Sequence, residues 1–345
     1  MALNLLSFFA TFFVTQLLLP KKWRQTWFFI LSLFCLVVVN DAYLGLAFFF
    51  VLLNELIKVF CRHFHFDLHK YVPFLYAFVF IFLHHIKGAP IVGASYLILA
   101  ASLDLVDGKS LLWQKGFLKK SFFNLVSFPK ASMGPIQSAQ DHFENSSFEP
   151  KINLAALKVG LGTLKVFILL PLFRDTYTIP FFKGSQLALD FLGFGLWNYI
   201  ILYLEFSGIC DLVMAIFFVA GFSCLENFKT PYLSLSITDF WKRWHASLGH
   251  WIRKHIYFPL GGNRKGTLRL YFNLIMAMVV CGAWHGLSWN YLGWGALQGG
   301  IMAYERYFGW EKWAQQIPVA ARLIPWLVTQ LWVIVSWSIF FSWSG

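Results

Sequence analysis

Charged residues are scarce in this chain. Asp, Glu, Lys and Arg together make up 13% of the 345 residues, whereas hydrophobic residues make up 58%. Soluble domains carry about 25% charged residues, so the composition excludes an ordinary soluble protein. Acidic residues are scarcer than basic ones, with 16 Asp and Glu against 28 Lys and Arg. The basic excess lies in short stretches between apolar runs, which is typical of membrane topology and of contact with anionic headgroups. A nucleic-acid partner is not needed to explain it.

Alternation of apolar and polar residues is also missing. The apolar runs are continuous, which excludes a membrane-spanning barrel and favours helices of about 20 residues. We therefore predict an all-α polytopic membrane protein with about ten or eleven membrane segments, some of them re-entrant. The segments are Leu3–Leu19, Trp27–Val39, Ala42–Phe60, Tyr71–Ile86, Ile91–Leu105, Ile152–Phe173, Gln186–Phe206, Ile209–Phe222, Leu270–Trp284, Trp289–Tyr304 and Leu323–Phe341.

The cysteines lack the spacing of a metal site. They are Cys35, Cys61, Cys210, Cys224 and Cys281. Most lie in apolar segments, where a thiol behaves as a small hydrophobic group. His65 and His69 have the i, i+4 spacing of a metal pair, but no fourth ligand is obvious, and a loop beside the membrane is the favoured interpretation. We expect no metal site.

Basic residues also indicate the topology. The stretch Lys21–Arg24 follows the first apolar run and no basic residue precedes that run, which predicts an uncleaved segment with its N-terminus outside. The basic block Lys242–Arg269 then lies in the cytoplasm only if Gln186–Phe206 and Ile209–Phe222 do not both cross the membrane. One full crossing with a re-entrant half would satisfy this rule, but we favour a broken helix around Phe206–Gly208.

Two long stretches lack an uninterrupted apolar run. We predict that Trp113–Pro150 is interfacial or re-entrant on the cytoplasmic side, because prolines, glycine and polar residues break its helices. Ser223–Arg269 is too rich in aromatic residues for disorder, so we expect it to fold against or into the helical bundle. Within it, Asp239–Ile256 reads as one basic amphipathic helix, and "PLGGNRKG" as the turn that ends it.

A histidine ends one of the membrane segments. His285 lies in "CGAWHGLSWN" between Gly282 and Gly286, whose small size leaves room for a substrate or for another backbone. A neutral imidazole accepts a proton from a hydroxyl near pH 7, so His285 is a candidate general base. A structural histidine between packed helices is an equally good interpretation of the pattern alone.

A second histidine lies in the basic stretch. His245 follows Trp241 by four residues, which on a helix places both on one face, with Lys242 and Arg243 directed elsewhere. From spacing alone, an interfacial aromatic belt is the favoured interpretation. The nearby basic side chains would attract phosphates of lipids, of a coenzyme or of a carrier protein.

Two classes of function remain open on these residues. Glu205 and Asp211 lie inside an apolar run, where each must pair with a basic group or line a polar cavity. Either a buried histidine activates a hydroxyl for acyl transfer, or histidines and carboxylates relay protons in a transporter. A relay needs ionisable residues along several helices, whereas polarity here concentrates in one region, which favours an enzyme.

The combined motifs resemble a known family. The stretch "ENFKTPYLSLSITDFWKRWHASLGHWIRKHIYFPLGGNRKG" is similar to the signature region of the membrane-bound O-acyltransferases, most of all to their bacterial alginate O-acetyltransferase-like branch. "SFPKASMGPI", "YLEFSGICDLVMAI" and "GAWHGLSWNYLGWGALQGG" resemble further elements of that branch. The resemblance extends from Phe128 to about Gly300.

The resemblance implies a ring of helices around a central tunnel that joins a cytoplasmic donor site to an external acceptor site. His285 and His245 would be the catalytic histidines, His285 as the general base, and Ser236–Gly266 would be the re-entrant floor of the tunnel. The tunnel residues would be Trp241, Lys242, Arg243, Trp244, Arg253, Asp211, Trp284 and Asn290. The whole chain would be one domain, with N-terminal helices at 1–126, a catalytic core at 127–305 and a C-terminal helix at 306–345.

The activity implied is transfer of an acetyl group from a cytoplasmic thioester to a cell-surface or exported polysaccharide, in the bacterial cytoplasmic (inner) membrane. The donor would be acetyl-CoA or an acyl-carrier thioester, with no tightly bound cofactor and no metal. Expected partners are membrane lipids, the polysaccharide acceptor, a secreted or periplasmic acetyltransferase, and an acyl carrier protein. The sister branch, which transfers D-alanine to teichoic acid, shares both histidines. His255 and Ala246 depart from the family pattern, which more often has an acidic residue and Ile there.

Overall fold

The structure is a computed structural model that describes residues 2–20, 23–39, 47, 49–54, 56–57, 98–103, 124–125, 127, 133–138, 149–176 and 187–342. Most or all of the predicted segments Ala42–Phe60, Tyr71–Ile86 and Ile91–Leu105, and of the predicted interfacial stretch Trp113–Pro150, lies outside these residues. Within them, all regular secondary structure is helical. The predicted all-α class is confirmed.

Eleven α-helices have defined bounds in the described part of the chain. They are α1 (Ala2–Leu18), α2 (Arg24–Val39), α3 (Ile152–Thr163), α4 (Leu170–Thr176), α5 (Leu187–Val219), α6 (Ile237–Arg243), α7 (Ala246–Ile252), α8 (Thr267–His285), α9 (Trp289–Phe308), α10 (Trp310–Gln316) and α11 (Leu323–Ser342). A π-helical segment, Leu164–Leu169, joins α3 to α4, and a second, Arg253–Tyr257, follows α7. Short 3₁₀ turns occupy Pro231–Leu233 and Val319–Arg322.

Four of the described helical stretches are long and apolar enough to cross a membrane. They are Ile152–Arg174, Asp190–Val219, Thr267–His285 and Val319–Phe341, and α1 and α2 contribute shorter apolar stretches. The predicted segment Trp289–Tyr304 is helical as part of α9, but it is not among the four. Glycines, Asn290 and Gln298 lower its mean hydropathy. The protein is thus a multi-pass membrane protein.

The chain divides into two compact units. The first consists of Met1–Val166 and Phe206–Glu226, and the second of Phe167–Glu205 and Asn227–Gly345. The first has a phenylalanine core around Phe28, whose ring lies 5.2 Å from that of Phe12 and 5.7 Å from that of Phe217. The second has a core around Trp244, which stacks on Phe240 at 5.6 Å and contacts Trp337 at 5.3 Å.

The predicted break around Phe206–Gly208 is wrong. Helix α5 runs for 33 residues without interruption, and Gly208 lies inside it. The glycine instead permits close helix packing within the first unit: a Cβ atom on Gly208 would lie 2.6 Å from Val166 Cγ2, and one on Gly162 would lie 2.8 Å from the Gly208 carbonyl oxygen. A helix of this length spans roughly 50 Å, enough for one crossing of a hydrocarbon core of about 30 Å.

An ion-pair cluster lies three residues from Gly208 on the same helix, at Asp211. Asp211 is 5% exposed, and its two oxygens accept hydrogen bonds from Lys158 Nζ at 2.8 Å and Lys165 Nζ at 2.6 Å. Lys158 also binds Glu226 Oε1 at 2.7 Å. In the second unit, Glu205 binds Arg174 Nη2 at 2.8 Å. Both carboxylates of the apolar run are therefore paired with basic groups, one of the two predicted alternatives.

Candidate active site

The site of the second unit begins with a tight hairpin of α8 and α9. Three glycines lie where the two backbones meet: added Cβ atoms on Gly282, Gly295 and Gly299 would lie 2.0 Å from Tyr291 O, 2.3 Å from Met278 O and 2.4 Å from Ile275 Cα. The space beside Gly282 is thus filled by another backbone, which was one of its two predicted uses. The hairpin fixes the position of His285, the last residue of α8.

Aromatic rings surround His285. The centroid of its half-buried imidazole lies 4.7 Å from the Trp284 ring and 4.9 Å from the Phe340 ring, and the Tyr291 and Trp294 rings each lie 6.1 Å away. Phe340 comes from α11, so three helices form this environment. A ring enclosed in this way has few orientations open to it, which suits a group that must meet a substrate in one geometry.

The predicted single helix Asp239–Ile256 is wrong. Helix α6 ends at Arg243, and His245 has a left-handed backbone, with φ 44° and ψ 53°, before α7 begins. Trp241 and His245 therefore do not share a helix face. The left-handed region is costly for a residue with a Cβ atom and often marks a functional position. The turn "PLGGNRKG" is confirmed, with positive φ at Gly261 and Gly262.

Asn227 holds the turn at His245 in place. Its carbonyl oxygen accepts a hydrogen bond from the Ala246 N–H at 3.0 Å, and its side-chain oxygen accepts one from the Ser247 N–H at 3.2 Å. Asn227 is 1% exposed. A buried asparagine whose backbone and side-chain oxygens both accept hydrogen bonds stabilises the turn, because water cannot replace those bonds.

The two histidines share one neighbour. The Trp284 ring lies 6.0 Å from the His245 ring and 4.7 Å from the His285 ring. His245 is 5% exposed. Burial lowers the pKa of His245, and His285 lowers it further, to about 3. His245 is therefore neutral at physiological pH, with one ring nitrogen as a donor and the other as an acceptor.

An apolar cavity of about 230 Å³ adjoins His245. Its walls come from α6, α7, α8, α9 and the π-helical segment, and include Leu248, Ile252, Ala277, Met278 and Cys281. Five residues predicted for the site line it together, namely Trp241, Lys242, Trp244, His245 and Arg253. The cavity can accept a narrow, largely apolar ligand with an anionic end near the basic side chains.

A second, more polar cavity of about 460 Å³ shares five lining residues with the first, namely Thr238, Lys242, Tyr257, Leu274 and Met302. Arg306 and Lys312 add basic groups to its lining, and Glu305 and Glu311 add carboxylates. Lys242 lines both cavities and forms an ion pair with Glu311. The arrangement places cations beside a narrow apolar space, which suits a ligand that is apolar at one end and carries phosphates at the other.

Two buried polar residues of α9 bind α6. Glu305 accepts hydrogen bonds from the N–H groups of Ile237 at 2.6 Å and Thr238 at 2.8 Å. Gln298 accepts one from Trp241 Nε1 at 3.2 Å and donates one to Ser336 Oγ at 2.6 Å. Sequence reasoning missed both residues, and also Asn227 and Phe340. Asn227 and Gln298 lie in stretches that resemble the family, which was the only signal for them, because these roles depend on contacts between distant parts of the chain.

Four of the predicted tunnel residues, Trp284 among them, lie elsewhere than the cavity walls. Arg243 binds Asp239 Oδ1 at 2.9 Å and the Lys229 carbonyl oxygen at 3.4 Å. Asn290 lies in the first turn of α9. Asp211 belongs to the first unit, where it holds the two lysines. The structure thus brings together Trp241, Lys242, Trp244, His245 and Arg253 around a cavity, with Trp284 connecting His245 to His285.

Comparisons with known proteins agree with these motifs. The family model of the membrane-bound O-acyltransferases matches residues 119–340. The chain is 45% identical to the probable alginate O-acetylase AlgI of Pseudomonas putida over 139 residues, which cover 40% of this chain and 28% of that protein. It is 36% identical to the peptidoglycan O-acetyltransferase of Helicobacter pylori over 141 residues, which cover 40% and 26%.

A third relative matches more of the chain at lower identity. The teichoic acid D-alanyltransferase of Bacillus subtilis is 26% identical over 267 residues, which cover 70% of this chain and 63% of that protein. The chain therefore spans about a quarter of the length of the two O-acetylating relatives and less than two-thirds of the third. The family model, however, covers well over half of the chain. The chain belongs to the membrane-bound O-acyltransferase family.

Proposed function

We propose that this protein is an O-acyltransferase that takes an acetyl group from a thioester on the cytoplasmic side of the bacterial cytoplasmic membrane. The group serves the O-acetylation of an exported or cell-surface polysaccharide. The observation that carries the proposal is the shared position of Trp284 between His245 and His285, beside an apolar cavity with basic groups at its wall. Such a site supports acyl transfer without a protein nucleophile.

The apolar cavity suits the thioester arm of the donor. A pantetheine arm is narrow and carries no charge, whereas both a coenzyme and a carrier protein attach it to phosphate. Lys242 and Arg253 at the apolar cavity, with Arg306 and Lys312 at the polar one, supply the matching cations. Acetyl-CoA and an acyl carrier protein both satisfy this chemistry.

In the proposed reaction His285 accepts the proton of the acceptor hydroxyl while the oxygen attacks the thioester carbonyl carbon. The negative charge that develops on the carbonyl oxygen is stabilised by the N–H of neutral His245. The carbon–sulfur bond then breaks, and the proton on His285 passes to the thiolate. The products are an ester and a free thiol, and His285 returns to its neutral form.

Transfer of D-alanine to teichoic acid is the second candidate. It is favoured by the teichoic acid D-alanyltransferase of Bacillus subtilis, whose match covers 70% of this chain. The higher identity of the alginate O-acetylase favours acetyl. The acceptor in either case is a surface polymer, and we propose that a secreted or periplasmic acetyltransferase assists its modification.

The ester content of the surface polymer tests the proposal. Ester-linked acetate is measured in cells with the wild-type protein, with His285→Ala, and with His250→Ala as a control at an exposed histidine of α7. All three proteins are held at equal membrane levels. Loss of a general base costs about 10²–10⁴-fold in rate, so His285→Ala should remove nearly all the ester and His250→Ala none. If D-alanine ester responds instead, the second candidate replaces the first, and if no ester responds, acyl transfer is wrong.

A further inference from the structure

Glu305 is a buried carboxylate that binds backbone rather than a cation. It lies on α9, is 6% exposed, and bonds to the N–H groups of Ile237 and Thr238 and to the Thr238 hydroxyl at 2.7 Å. The first N–H groups of a helix have no partner within the helix, and a nearby side chain of the same segment usually binds them. Here Ser236 Oγ serves only the Asp239 N–H, at 2.9 Å, and a distant helix serves the other two.

Gln298 holds the same helix at a second point. It precedes Glu305 by seven residues, or two turns, so both side chains leave the same face of α9. The Gln298 side chain lies 2% exposed between Trp241 on α6 and Ser336 on α11. Trp294 Nε1 also donates to Ser336 Oγ at 3.2 Å. Short helix α6 is therefore bound to α9 both at its start and near its end.

The same helix α9 is fixed against α8, which ends in His285. The glycine contacts of the hairpin leave no room for a Cβ atom at Gly295 or Gly299, so the two helices have little freedom to slide. On the other side, α6 leads to His245 after two residues, and the Trp244 N–H still bonds to the Phe240 carbonyl oxygen at 2.8 Å. Any shift of α6 along α9 thus moves His245 relative to His285.

We propose that Glu305, with Gln298, is a positioning residue that sets the placement of His245 relative to His285. The inference rests on the proposed acyl transfer and names the residues that hold its two histidines in position. A charged acceptor makes shorter and stronger bonds to N–H groups than a neutral one, which explains why a carboxylate occupies this position, where its bonds within the described part of the chain go to N–H and O–H groups.

The test measures single-turnover acyl transfer by the full-length protein in membrane vesicles, with radiolabelled acetyl thioester as donor. Glu305→Gln keeps one acceptor oxygen but turns an NH₂ group toward N–H donors, and should slow transfer about 10-fold. Thr238→Val keeps both backbone bonds and loses only the hydroxyl, and should slow it about threefold. Glu205→Gln is the control for loss of a carboxylate, because Glu205 binds Arg174 and lines neither cavity. Since Glu305 lines the polar cavity, the donor is kept at a saturating concentration, so that weaker donor binding does not lower the measured rate.

A second background separates positioning from a general loss of structure. Glu305→Gln is combined with His245→Ala, which is expected to leave slow transfer that a single-turnover assay can follow. If Glu305 acts through His245, Glu305→Gln lowers the transfer rate of the His245→Ala protein less than twofold, because the group that Glu305 positions is already gone. A carboxylate that only stabilises the fold would lower transfer by the same factor in both backgrounds.

The outcomes distinguish the two proposals. A 10-fold loss in the wild-type background with a loss below twofold beside His245→Ala supports the positioning role. Equal losses in both backgrounds, or an unchanged rate for Glu305→Gln, overturn it while acyl transfer stands. An absence of transfer by the wild-type protein with either acetyl or D-alanyl thioester overturns the proposed function itself.

Discussion

Gly295 lies so close to Met278 that a Cβ atom on the glycine would stand 2.3 Å from the methionine carbonyl oxygen. Gly295→Ala should therefore push α9 away from α8 and lower the free energy of unfolding by about 1–3 kcal/mol. The fall in Tm of the detergent-purified protein measures this effect. Gly300→Ala is the control on the same helix, because nothing lies within 4 Å of its added Cβ atom. Equal Tm values for the two variants would contradict the packing described for the hairpin.

Asp211 is expected to be essential for folding rather than for chemistry. Asp211→Asn leaves the cations of Lys158 and Lys165 without their shared carboxylate, and breaking a buried ion pair costs about 3–5 kcal/mol. The amount of folded protein in membranes should fall sharply, whereas Asp190→Asn, in the first turn of the same helix, should cost less than about 1 kcal/mol.

A compensating change gives the sharper check on this cluster. Adding Lys165→Met to Asp211→Asn removes one stranded cation and leaves Lys158 with Glu226, which restores the charge balance. The double variant should recover much of the folded protein, as measured by monodisperse elution in detergent. If the double variant is as poor as Asp211→Asn alone, charge balance is not what Asp211 provides.

Acid should destabilise the protein through two buried histidines. Burial lowers the pKa of His245 and of His255 to about 3, below the ordinary value of about 6.5. Below pH 6.5 the unfolded chain binds protons that the folded one does not, so stability falls as pH falls, by about 1.4 kcal/mol per pH unit for each histidine. Above pH 6.5 neither state binds the proton, and the effect vanishes.

The measurement is Tm from pH 7.5 to pH 4.5 for the wild type and for His255→Gln. Glutamine does not titrate, so the variant should lose Tm less steeply below pH 6.5 and match the wild-type dependence on pH above it. Parallel curves throughout the range would show that His255 takes up its proton in the folded state as easily as in the unfolded one.

A bulky side chain at one wall should block the apolar cavity. Ala277 lines it, and Ala277→Phe would direct a ring toward about 230 Å³ of empty space. The KM for acetyl thioester should rise about 10-fold or more, with little change in Tm, because the added ring finds room. Leu268→Phe, at an exposed position of the same helix, should change neither quantity. An unchanged KM for Ala277→Phe would place the donor elsewhere.

The sequence predicted the helical class and five of the residues that line the apolar cavity, because both depend on local composition. Long apolar runs predicted the bounds of α8 and α11 to within a few residues. His285 and His245 were identified as polar groups in apolar surroundings. The grouping of Trp241 with His245 was right, but the reason for it was wrong. A left-handed turn at His245, rather than a continuous helix, brings both to one cavity.

Long-range contacts account for what the sequence did not predict. Nothing in the local pattern of α5 distinguishes a glycine that breaks a helix from one that lets another helix pack closely. The residue that packs against Gly208 lies 46 positions earlier, at Gly162. Glu305 likewise resembles a surface glutamate near a helix end until its distant partners are known. Such roles follow from packing and not from periodicity.

The left-handed backbone at His245 has a consequence for engineering. Glycine adopts this conformation with little strain, so His245→Gly would relax the turn while removing the imidazole. Stabilising substitutions commonly reduce activity where a site holds strain. A library of this protein selected only for thermal robustness should therefore enrich glycine at position 245, and the enriched clones should be the inert ones.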